Sequence, residues 1–188
     1  MNAINFTTKY RGSFTIEFAI IAVFMSVIIV FTADMVVKQS IEGMLDRMSY
    51  SAVSVIKERT QLYSSDSDSE VMTERQVQEV DSIVKQSLTR TMANFDTSRY
   101  GAFYEEYVFS GTGKGQYIDF NVGNNGTDCQ PEKRLTYQNA PDFSPVTNES
   151  RRAPVFQVTL CYQTNNWFGR LAGGDYQWVR SNSIILGR

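Results

Sequence analysis

The chain has 188 residues, a formal net charge of −2 and no histidine. So balanced a charge offers no basic face for nucleic acid, and the missing histidine removes the commonest general base and the commonest metal ligand. Hydrophobic residues make up 42% and aromatics 13%, so the part outside any membrane can build a packed core.

Residues 1–12 read MNAINFTTKYRG, with Lys9 and Arg11 and no acid. Basic residues just before an apolar segment keep that end in the cytoplasm. The segment that follows, Gly12 to Ala33, reads GSFTIEFAIIAVFMSVIIVFTA. Counted from Phe14 it is apolar for about 20 residues, enough to cross a roughly 30 Å hydrocarbon core as a helix. It lacks the polar stripe of a soluble core helix. Glu17 is its one charge. A secretory signal peptide shares this layout, but the apolar run is longer than an h-region. Phe31 also stands where a small side chain is wanted before Ala33.

After Ala33 the pattern becomes amphipathic. Val37, Ile41, Met44, Leu45, Met48, Ala52, Val55 and Ile56 recur at three- and four-residue spacing. No proline interrupts Gly12–Leu62, which predicts one helix from about Phe14 to about Leu62, of roughly 70 Å. Tyr63–Glu70, YSSDSDSE, reads as a solvated acidic linker. A calcium loop starting at Asp66 would need Gly at Val71 and Glu at Val77, so that motif fails. Thr73 followed by Gln76 is a capping-box signature, and Val77, Val80, Val84, Leu88, Met92 and Phe95 form the buried stripe of a second helix over Thr73–Phe95.

From Tyr100 the chain turns to short β-type runs: Tyr104–Phe109, Tyr117–Val122, Val155–Tyr162 and Tyr176–Ile185. Gly-rich turns at Gly111–Gly115 and Gly123–Gly126 divide them. The first is no phosphate loop, because Val108 and Gly115 stand where Gly and Ser/Thr are needed. The aromatics, Tyr104, Tyr107, Phe120, Phe156, Tyr162, Trp167 and Trp178 among them, are expected mostly in the core of a sheet packed on the helices, with subunit contacts as the alternative for some. Cys129 and Cys161 lie in a turn-rich loop and near a strand end. A bond between them would close a loop of about 33 residues, worth roughly 3–4 kcal/mol; the alternative is two separate buried thiols. No catalytic constellation is present. Serine and cysteine sites that use histidine are impossible, cysteine/histidine metal sites are absent, and the adjacent Glu105 and Glu106 should point to opposite faces of a strand.

The basic leader, Gly12, the run Ser13-Phe14-Thr15-Ile16-Glu17-Phe18 and the apolar segment together resemble the type IV prepilin signal. The resemblance implies cleavage by a prepilin peptidase between Gly12 and Ser13. Glu17 is then the fifth residue of the mature helix, next to Phe18. A carboxylate at a bilayer centre costs about 2.5–3.5 kcal/mol on insertion scales. Near a helix N-terminus it reaches the interface and gains roughly 0.3–1 kcal/mol from the dipole, and in a filament it can pair with the free amine of a neighbouring Ser13. The segments RMSY (47–50) and KERTQLY (57–63), with the anchor RGSFTIEFAI, resemble the minor pilins and pseudopilins of tight-adherence (Tad, Flp) pili, the TadE/TadF group, and TadF most of all. The resemblance is most secure over residues 11–63.

The expected fold is α+β: a long pilin-like helix with a membrane half and an amphipathic half, a second packed helix, and a C-terminal antiparallel sheet head. The expected organisation is a cytoplasmic leader (1–12), a transmembrane and assembly helix (13–34) and an extracytoplasmic head (35–188). What the resemblance implies is a minor pilin of the bacterial inner membrane that spans it once, head in the periplasm, and reaches the cell surface on assembly. Its partners would be other pilins, the peptidase, the assembly platform and membrane lipid, with no cofactor. The competing reading is a membrane-anchored extracytoplasmic sensor or binding protein, which needs neither cleavage nor Glu17. A membrane-anchored enzyme is the third.

Overall fold

In the computed structural model the described residues are 11–58, 71–110, 115–123, 129–148, 151–174 and 176–187. The leader up to residue 10, the expected helix end at 59–62, the acidic linker at 63–70 and the turn residues 111–114 and 124–126 lie outside them. The first helix, α1, runs Arg11–Lys57 without a break. A second, α2, spans Glu74–Thr91. A 3-10 turn at Thr97–Arg99 leads into β1 (Tyr100–Val108), followed by β2 (Gln116–Val122), a short α3 (Ala140–Phe143), β3 (Val155–Gln163), α4 (Trp167–Ala172) and β4 (Trp178–Leu186). The four strands form one antiparallel sheet in the order β2-β1-β3-β4. The fold class is α+β, as the sequence pattern indicates.

Contacts divide the chain into two compact units. One holds the first part of α1, up to Gln39, together with Asn165–Tyr176; the other holds Ser40–Thr164 and Gln177 onward.

The larger unit is layered, and strand alternation explains the layers. Alternate residues of a strand point to opposite faces. On one face, Tyr100, Ala102 and Tyr104 of β1 join Phe156, Val158, Leu160 and Tyr162 of β3. They meet Leu45, Ala52, Val53 and Ile56 of α1 and Val77, Val80, Val84 and Leu88 of α2 in one core. Both helical stripes are therefore used as their spacing implies. Val37, expected in the α1 stripe, is instead exposed, and Val53 joins the core.

The opposite face is covered too. Tyr107 and Val155 pack with Leu135 and Ala140 from the segment between β2 and β3. The Arg134 guanidinium lies 4.9 Å above the Phe103 ring. Cys129 and Cys161 are bonded, with Cα atoms 5.6 Å apart and both residues buried. Cys161 sits on this second face of β3, so the bond pins the β2–β3 segment onto the sheet. β1 and β3 are buried along nearly their whole length as a result.

Boundaries differ from the sequence reading where local chemistry competes with periodicity. α2 stops at Thr91, with Met92 already extended as its cap. Asp96 takes the Ser98 N–H at 2.9 Å and starts the 3-10 turn, a local bond that Asp offers in place of helix. Phe95 leaves the helix and stacks on Tyr162, with centroids 5.6 Å apart. At the other end the Thr73 N–H donates to Gln76 Oε1 at 3.2 Å, one half of the expected capping box.

Candidate functional site: the apolar helix and its flanking contacts

α1 is the one element among the described residues long and apolar enough to cross a membrane. Its first part exposes large side chains on every side: Phe14 is 70% accessible and Phe18 62%, and Ile16, Ile20, Ile21, Phe24, Ile29 and Phe31 are also exposed. A water-soluble helix hides one stripe; this one hides almost nothing, which water penalises and hydrocarbon does not.

Two hydroxyls of the span, those of Ser26 and Thr32, are satisfied within it. Ser26 Oγ donates to the Val23 carbonyl at 2.7 Å, and Thr32 Oγ1 to the Ile28 carbonyl at 2.9 Å. Internal satisfaction is what a lipid-exposed helix requires, since no water is present to accept these bonds. The apolar run ends at Asp34, which is buried and paired with Lys38 one turn on. At the other end Gly12 and Ser13 lie in the first turn of α1. Glu17 and Phe18 follow on the exposed helix, where Phe18 stacks on Phe14 with centroids 6.4 Å apart.

The head has a polar interior that the sequence reading missed. Glu105 and Glu106 do point to opposite faces of β1, and both are buried. Glu106 accepts the Met72 N–H, at the entry to α2. Glu105 Oε1 accepts the Tyr117 hydroxyl at 2.7 Å and the Leu135 N–H at 3.2 Å, on the disulfide side. Burial pushes the Glu105 carboxyl above its ordinary pKa; the bonds from Tyr117 and Leu135 and the nearby Arg134 oppose that rise. Asp81 on α2 accepts the Tyr100 hydroxyl at 2.9 Å and pairs with Lys85 at 2.8 Å. Burial, with Tyr104 and Asp81 beside it, pushes the Tyr100 hydroxyl well above its usual range. These carboxylates hold main-chain and tyrosine groups of the fold. The signal was there in part: two adjacent acids inside an otherwise apolar strand run demand partners. Their partners are 12, 30 and 34 residues away, beyond the reach of local pattern.

Where α1 meets β4, the contact is made of hydroxyls. Ser49 Oγ lies 2.8 Å from Ser183 Oγ and 3.4 Å from Ser181 Oγ, and Ser181 donates to Asp46 at 3.1 Å. Among the described residues no group of three or more Cys, Asp or Glu is gathered to hold a metal ion.

A helix apolar all round, continuous with the core helix of a disulfide-pinned α+β head, is the architecture of a single-anchor, pilin-like protein. The family model TadF, described as "Putative tight adherence pilin protein F", matches residues 5–188, nearly the whole chain. The chain belongs to the TadF family and is a pilin-like protein of the Tad pilus. That family is structural rather than enzymatic and is membrane-associated, and it interacts with other pilus components. The chain matches no curated protein and no solved structure.

Proposed function

We propose that the protein is a minor pilin, or pseudopilin, that acts in the biogenesis of a Tad (Flp) type IV pilus, in its assembly or at an adhesive tip. It enters the inner membrane with residues 1–12 in the cytoplasm, 13–34 across the bilayer and the head, 35–188, in the periplasm. A prepilin peptidase cuts after Gly12, and Ser13 becomes the new N-terminus. Glu17 is then the fifth residue, placed to pair with the amine of a neighbouring subunit, while Phe18 and the residues after it supply the apolar packing. In lipid that packing comes from side-chain fit rather than water release.

The observation that carries this reading is the exposure of α1 from Phe14 to Phe31 in a chain whose head is otherwise well buried. The family match supports it. Two measurements test it. The intact mass of membrane-extracted protein is expected to lack residues 1–12; a mass that retains them in cells with an active peptidase ends the processing claim. Glu17→Ala is expected to leave the protein in the membrane and abolish its incorporation into pili. A single-span sensor would be indifferent to that change, so normal piliation with the variant would favour the sensor.

A further inference from the structure

The connection between β3 and β4 is longer than a hairpin turn, and most of it groups with the first part of α1. Its base is closed by Thr164, whose N–H and hydroxyl both donate to the Gln177 carbonyl, at 2.7 and 2.9 Å. Beyond that base, Asn165–Tyr176 belongs to the same compact unit as the apolar part of α1. The excursion is internally braced. Asn166 Nδ2 donates to the Gly174 carbonyl at 2.8 Å, and the Gly174 N–H donates to the Gly169 carbonyl at 3.0 Å. Gly173 ends α4 at φ +73°, a conformation that glycine adopts without strain.

The aromatics of this segment are distributed unlike those of the head. Tyr100, Phe103, Tyr104 and Phe156 are buried, whereas Trp167 is 52% and Tyr176 58% accessible. Trp167 was expected in the sheet core and is instead on the outside. Phe168 turns the other way and packs edge-on against Phe31 of α1, with centroids 4.8 Å apart. That contact fixes the depth of the segment. At about 1.5 Å per residue Phe31 lies about 26 Å along the helix from Phe14, close to the far edge of a roughly 30 Å hydrocarbon core. Around it, Val30, Asp34 and Lys38 form the covered stripe of this half of α1, and from Asp34 on the apolar run gives way to charge.

We infer that Asn165–Tyr176 is a second membrane contact, an interfacial anchor that seats Trp167 and Tyr176 among the lipid headgroups and upper acyl chains where α1 leaves the bilayer. Tryptophan and tyrosine favour that boundary because one part of the ring system is apolar and one part is a hydrogen-bond donor. Arg170, exposed on α4, supplies a cation for lipid phosphate. The occupant is lipid rather than a protein groove because the exposed pair sits at the one depth where such rings are stabilised, held there by the packing of Phe168 against Phe31 of the spanning helix. The inference rests on the reading of α1 as a membrane span.

The test uses full-length protein in vesicles of phosphatidylcholine and phosphatidylglycerol. The chain has two tryptophans, so Trp178→Phe leaves Trp167 as the only indole. Its emission is expected to be blue-shifted and to be quenched in vesicles whose lipids are brominated high on the acyl chain, and less when the bromines lie near the chain end, because interfacial rings sit at headgroup level. If W178F does not fold, the same signal is read as the difference between wild type and Trp167→Phe. Trp167 emission that neither brominated lipid quenches, in protein that resists alkaline carbonate extraction, overturns the anchor and leaves the span standing. Release by carbonate overturns both. Shielding of Trp167 that appears only as protein density in the vesicle rises would assign the surface to a second copy and overturn the lipid assignment.

Discussion

The bond between Cys129 and Cys161 makes a quantitative demand on the head. Its sequence separation is 32 residues, and the chain-entropy relation for a loop of that size gives roughly 3.7 kcal/mol at 25 °C. With a urea m-value of about 2 kcal/mol/M, ordinary for a domain of this size, removing the bond should lower the unfolding midpoint by nearly 2 M. The comparison is between oxidised and reduced full-length wild type in detergent micelles, followed by the tyrosine and tryptophan signals of the head and by limited proteolysis. Cys129→Ala with Cys161→Ala should lose at least as much, because both sulfurs are buried and their packing goes too. The strain falls on one layer: Leu135, Ala140 and the Arg134 contact with Phe103 all sit on the segment that the bond holds down. Proteolytic cuts should therefore appear first between residues 129 and 154. Midpoints within about 0.25 M of each other, or about 0.5 kcal/mol at that m-value, would refute the reasoning, since the second layer would then be held by packing alone.

Leu88 is fully buried in the core shared by the two helices and the sheet, so Leu88→Ala should cost about 2–5 kcal/mol. Ile83 on the same helix is exposed, and Ile83→Ala should stay within about 0.5 kcal/mol; thermal melts of the pair check this. For Glu105 the folded pKa lies above the unfolded one, so the folded state holds its proton more tightly. Its contribution is complete below the unfolded pKa of about 4.3 and is lost as pH rises through the folded value. Glu105→Gln keeps an acceptor for Tyr117 and Leu135 without the buried charge. Its melting temperature relative to wild type should climb from pH 4 toward neutrality, and a pH-independent difference would contradict the assignment.

How much was legible depended on what each residue answers to. The apolar part of α1 was plain because a helix solvated by lipid has no period to hide, and Glu17 stood out against it. α2 was plain because Val77, Val80, Val84 and Leu88 repeat on one face. The strands were placed with small errors, the largest at β1, which begins at Tyr100 rather than Tyr104. Gly101 and Ala102 carry no strand propensity and are extended because both sheet faces are covered there. The six residues of α4 are too few for a periodic signal. An aromatic near a strand usually packs in the core, and Trp167 carries no local sign to the contrary; its exposure follows from Phe168 taking the inner position against Phe31, a tertiary choice. The carboxylates of Glu105 and Glu106 were read correctly as opposed, but their uses depend on Tyr117, Leu135 and Met72.

The covalent pin has a mechanical corollary. A head pulled from its stem and from its far end can lengthen only by paying out backbone. Residues 129–161 represent about 100 Å of extensible contour, and the sulfur bond withholds nearly all of it. Tension that breaks the sheet would then meet a short leash rather than a long slack thread.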